Sequence, residues 1–165
     1  MYSSIFDSID TQIDKRMWRT ILKTTLIAGT CDIVAACIQS YIVNGTMPSR
    51  VLRYVASGVF GKSAFVGGDE MVVWGLFFHF IIAFSCTACF FLLYPKIEIL
   101  KRSWLIDAVA IGVVAWCVTN LIVVPMSNTP KFPFNIEKVP VGLTILIVCI
   151  GIPIAYHAKL FFAKR

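Results

Sequence analysis

From Met71 to Pro95 the chain carries no charged residue. As a helix rising 1.5 Å per residue, that run is roughly 36 Å long, enough to cross a ~30 Å hydrocarbon core with some tilt. Asp69 and Glu70 stand just outside one end, Trp74 and Tyr94 fall at headgroup depth, and Pro95 with Lys96 ends the run. Three further apolar runs of similar length cover about 20–43, 104–124 and 139–162. The pattern predicts an all-α fold: an integral membrane four-helix bundle, organised as a single transmembrane domain over residues 1–165.

Two shorter amphipathic stretches flank the first span. Ile5, Ile9, Ile13 and Met17 recur every fourth residue, with Asp7, Asp10 and Asp14 elsewhere on the wheel, which predicts an interfacial helix over about 4–17 or else a frayed, solvated tail. After the turn Asn44-Gly45-Thr46-Met47-Pro48, Ser49 is expected to cap a helix over about 49–62. That helix sets Arg50 and Arg53 against Val51, Leu52, Val55 and Val59. It is too short to cross and reads as interfacial or re-entrant, against the mouth of the bundle. Pro125 to Phe134 reads as a proline-rich rigid cap, Pro153 as a kink, and Ala108 with Gly112 as a small-residue face for close helix packing.

Composition narrows the picture. With 58% hydrophobic and 15% charged residues and a mean hydropathy of +0.82, the chain has too little polar surface to coat a soluble globule of its length. The net charge of +6 reflects basic side chains flanking the apolar runs, where anionic lipid selects them, so nucleic acid is not an expected partner. Counted by flank, Lys15, Arg16, Arg19, Lys23, Lys96, Lys101, Arg102, Lys159, Lys164 and Arg165 face one side. Arg50, Arg53, Lys62, Lys131 and Lys138 face the other. Ten against five puts both termini in the cytoplasm.

The chemistry within the spans is sparse. A carboxylate at mid-bilayer costs about 2.5 to 3.5 kcal/mol on insertion scales and is tolerated against a partner, water or the bundle interior. Asp32 is such a residue. Measured from the outer helix ends, Asp32 lies roughly 16 Å deep and His79 roughly 12 Å, so a contact between them is allowed. Gln39 and Asn120 match at roughly 6 Å, and Lys23 matches Asp107 on the inner side. These levels describe either a polar track through the bundle or interhelical hydrogen bonds worth about 0.6 to 2 kcal/mol each.

Cys86-Thr87-Ala88-Cys89 is formally a CxxC pair, yet all six cysteines fall at apolar depth, where a reactive thiolate is disfavoured. Gly58-x-x-Gly61-Lys62-Ser63 lacks the glycine a phosphate loop needs, since position 56 is alanine. No GxSxG or HExxH is present, and His79 and His157 fall on opposite sides of the membrane. Neither an enzyme, a metal site nor a cofactor is therefore expected.

The span from His79 to Tyr94-Pro95-Lys96-Ile97, the helix after it, and Pro125-Met126-Ser127-Asn128-Thr129-Pro130 resemble the YagU-like family of small bacterial inner-membrane proteins. The likeness covers about the C-terminal half, and it implies four helices and a bacterial inner membrane but no substrate. Three functions fit these observations. The first is a packing and association protein with the lipid bilayer as partner. The second is a proton-linked or small-solute permeation protein using Asp32 and His79 in a homo-oligomer, and the third is thiol redox chemistry at Cys86 and Cys89.

Overall fold

The computed structural model describes residues 2–130 and 139–163, with side chains described over 15–100, 102–130 and 139–163. Among the described residues there is no strand. The helices are α1 (Tyr2–Asn44), α2 (Pro48–Phe60), α3 (Glu70–Leu93), α4 (Trp104–Met126) and α5 (Val139–Ala163). Four of them, α1 from Lys15 onward and α3, α4 and α5, are long and apolar enough to cross a membrane. The fold is an all-α bundle, with its distal end where α1 stops and α3 starts.

The N-terminal region differs from expectation. Instead of an interfacial helix at 4–17 followed by a separate span, α1 is one unbroken helix of 43 residues, roughly 65 Å long. Nothing in its first half stops it, because no glycine or proline precedes Gly29, and the Thr20 hydroxyl donates back to the Arg16 carbonyl at 2.9 Å. The side chains of Ile5, Ile9, Ile13, Asp7, Asp10 and Asp14 lie outside the described residues. At its far end Gly45, with φ of 61°, closes α1: the Gly45 N–H donates to Tyr41 O and the Thr46 N–H to Ser40 O.

Pro48 opens α2 at its first position, where a missing N–H costs nothing. Ser49 therefore does not cap the helix as expected; the extended Met47 precedes it without a side-chain bond. A 3₁₀ turn, Gly61–Phe65, follows. The proline-rich cap also begins later than expected. Pro125 sits inside the last turn of α4, while Lys131, Phe132, Pro133 and Phe134 lie outside the described residues.

Each proline beyond the first turn of a long helix is preceded by a π-helical turn: Val118–Val123 before Pro125, and Ile147–Gly151 before Pro153. A proline has no N–H for the carbonyl one turn back, and the wider turn absorbs the mismatch. The expected kink at Pro153 takes this form.

Glycines set the helix crossings. A Cβ at Gly151 would stand 2.1 Å from the Ala108 carbonyl oxygen, and one at Gly112 would stand 2.6 Å from the Ile147 Cα. The face carrying Ala108 and Gly112 is thus pressed backbone to backbone against α5. A Cβ at Gly75 would stand 2.0 Å from the Leu52 carbonyl oxygen, so α2 lies directly on the first turns of α3. In lateral order α4 packs on α5, α5 on α1, α1 on α3, and α3 on α2, with little direct contact between α1 and α4 or between α3 and α4. The proximal half is filled by a cluster around Phe90, Phe91 and Tyr94, whose ring stacks on Phe162 at 4.9 Å. In a bilayer such a cluster contributes through dispersion and close fit, since lipid tails are as apolar as the side chains.

Candidate functional site

Because α3 and α4 leave each other beyond their short proximal connection, the distal half of the bundle holds a partly open cavity of about 480 Å³. Val51, Tyr54, Val55 and Gly58 of α2 roof it. Asp32 and Ala36 of α1, and Phe78, His79, Ile82 and Cys86 of α3, form one side. Thr119 and Val123 of α4 and Leu146 and Ile150 of α5 form the other. Both π-helical turns therefore border it. The wall is mostly aliphatic and aromatic, with a few polar groups, which is the composition of a small-molecule site.

His79 is held by α1. Its Nε2 lies 2.8 Å from the Gly29 carbonyl oxygen, and because a carbonyl only accepts, Nε2 carries the proton. Gly29 makes this approach possible, since a Cβ there would meet the Phe80 ring at 2.8 Å. Asp32 and His79 lie close enough to interact electrostatically, without an ion pair or hydrogen bond between them. Both residues line the cavity, but among the described residues the one ion pair joins Arg53 to Asp69. Gly29 precedes Asp32 by almost one turn, so His79 sits deeper along α1 than the depth comparison gave. The reason is a stagger. Fifteen residues separate Gly29 from the end of α1, but only nine separate His79 from the start of α3. The end of α1 thus stands roughly 9 Å beyond the start of α3, and α2 occupies that step. Asp32 makes no hydrogen bond to any described residue and faces the cavity.

The other level-matched pairs are not brought together. Asn120 is exposed and its Nδ2 donates to Trp116 O of its own helix at 3.0 Å, while Gln39 is half-buried on α1. Lys23 is exposed, whereas Asp107 is 1% exposed with its Oδ2 unpartnered. The cause is common to both: α5 stands between α1 and α4. Cys86 borders the cavity and Cys89 is exposed; both are free thiols. His157, near the other end of the bundle, bonds through Nδ1 to the Pro153 carbonyl at 2.7 Å.

The roof is fastened at both ends. The Arg53 Nη1 donates to the Gly67 carbonyl, and its Nη2 lies 3.6 Å from Asp69 Oδ1. At the other end the Asn128 N–H donates to Gly58 O and its Nδ2 to Val59 O, both at 3.0 Å, satisfying carbonyls that the end of α2 leaves unpaired. Ser127 Oγ donates to Thr129 Oγ1 at 2.8 Å and shapes this clasp. Burial pushes the Tyr54 phenol above its ordinary range, so it works as a neutral hydrogen-bonding group in the roof.

The sequence reading missed Gly29, Gly75 and Tyr54, and it gave Ser127, Asn128 and Thr129 as part of a rigid cap without their bonds to α2. Gly75 carried a legible signal, a glycine inside an otherwise bulky apolar span. Gly29 follows Ala28 within the apolar run of α1, but nothing local shows that its carbonyl receives a histidine. No family model matches this sequence, and no curated protein or solved structure matches it.

Proposed function

We propose that this protein is a multi-pass membrane protein that takes a small solute into the distal cavity, with proton linkage through Asp32 and His79. The observation that carries the reading is Asp32, a carboxylate on the wall of a roofed, mainly apolar cavity without a hydrogen bond to any described residue. Such a side chain is retained at an insertion cost, and it holds a proton, water or a ligand. His79, fixed by its Nε2–H on the Gly29 carbonyl, lines the same cavity. The aromatic cluster at Phe90, Phe91 and Tyr94 closes the proximal half, so full passage requires either its opening or a second copy of the chain. The resemblance to the YagU-like family, a bacterial inner membrane and cytoplasmic termini belong to this proposal. The protein is not read as an enzyme, and the CxxC residues are read as packing.

Sidedness is tested by reporter fusions. Those after Ser103 and after Arg165 are expected to read cytoplasmic, and those near Lys62 and Lys131 external; an external C terminus ends the four-span topology. Function is tested in vesicles loaded with a pH-sensitive dye. An imposed pH gradient is expected to dissipate at least about tenfold faster with wild-type protein than without protein, and Asp32→Asn should return the rate to the protein-free level. The amide keeps the size and hydrogen bonding of the carboxyl but does not titrate. A packing and association protein, the alternative reading, predicts no flux in either form. Wild-type flux in Asp32→Asn would end the role given to the carboxylate.

A further inference from the structure

We infer that the cavity accepts an organic monocation, an amine carried on an apolar body; this rests on the binding reading above and names its ligand class. The argument is one of charge and shape. Among the described residues lining the cavity there is one carboxylate, Asp32, and no lysine or arginine. The nearest basic group in the roof, Arg53, is turned to the Gly67 carbonyl and Asp69 at the rim. His79 spends its Nε2–H on the Gly29 carbonyl.

An anion would meet the Asp32 carboxylate in a weakly polar space, and a neutral ligand would leave it beside His79 with no full counter-charge, since among the described residues no lysine or arginine lines the cavity. An ammonium group satisfies it. The cation also finds aromatic faces, because Tyr54 in the roof and Phe78 on α3 border the same space. The rest of the wall, including Val55, Ile82, Leu146 and Ile150, suits an aliphatic or aryl body. A volume of about 480 Å³ is within the range of small-molecule sites. Asp32 is the anchoring residue, and selectivity for charge follows from a carboxylate that no lysine or arginine of the described cavity lining meets and that makes no hydrogen bond to any described residue.

The test uses the full chain in lipid nanodiscs and three probes of one shape: 4-phenylbutylamine, 4-phenylbutan-1-ol and 4-phenylbutyrate. Dissociation constants are read by titration calorimetry against empty nanodiscs. The amine is expected to bind at least about tenfold more tightly than the alcohol, with the carboxylate weakest, and Asp32→Asn should bring amine and alcohol to within about twofold. The preference is read on the wild-type protein, so it stands or falls even if the variant does not fold. Equal binding of amine and alcohol to wild type overturns the cation inference and leaves the cavity as a binding site. Binding of neither overturns both, and an amine preference that survives Asp32→Asn overturns the anchor.

Discussion

Gly151→Ala is expected to lower the melting temperature of the detergent-solubilised protein by several degrees, and Gly151→Leu to prevent a stable bundle. The added Cβ would stand 2.1 Å from the Ala108 carbonyl oxygen and 3.3 Å from its Cα, so it meets backbone, which has no rotamer to yield. To admit it, α4 and α5 must separate along the crossing that Gly112 and Ile147 also form. Overpacking of this kind costs about 1–3 kcal/mol, and each kcal/mol moves Tm by roughly 2–4 °C in a domain of this size. Gly142→Ala on the same helix is the control, since its Cβ would meet nothing nearer than Trp116 Nε1 at 3.6 Å, an ordinary contact. Equal melting of the two alanine variants would refute the close crossing.

Gly75→Ala should lift the roof. Its Cβ would stand 2.0 Å from the Leu52 carbonyl oxygen and 3.1 Å from the Leu52 Cα, so α2 cannot keep its place on α3. The helix is otherwise held at its rim by Arg53 and at its far end by Asn128. Hydrogen bonds of that kind contribute about 0.5–1.5 kcal/mol each, up to ~3 with a charged group, which does not offset a backbone clash. Cys86, on the cavity wall beneath the roof, reports the change. In a background where Cys31, Cys37, Cys89, Cys117 and Cys149 are replaced by alanine or serine, a membrane-impermeant maleimide should label Cys86 several-fold faster in Gly75→Ala than in the parent. Asn128→Ala should give a smaller increase. Unchanged labelling in Gly75→Ala would show that α2 does not cover the cavity.

Much of the architecture was legible in the chain itself. Uninterrupted apolar runs dictate long helices, because backbone groups removed from water must be paired within the segment, and the four runs became α1, α3, α4 and α5. The turn at Asn44–Pro48 and the Arg and Val pattern after it dictate a short amphipathic helix, which became α2. The small-residue face at Ala108 and Gly112 was visible as well, and it is the face that α5 covers.

What the chain could not convey is lateral order. Counting residues from helix ends gives depth alone, so Gln39 with Asn120 and Lys23 with Asp107 matched in level although α5 separates their helices. Asp32 and His79 did reach one cavity, because α1 and α3 are true neighbours. Even there no hydrogen bond or ion pair joins them: α1 reaches beyond the start of α3, and the His79 N–H goes to the Gly29 carbonyl instead. The sequence by itself determined which segments are helices and which polar side chains lie inside them, since both follow from local hydrophobicity and the 1.5 Å rise. The tertiary structure decided which of those side chains meet, because adjacency and stagger depend on where one backbone can approach another, and here three glycines on three different helices set those places.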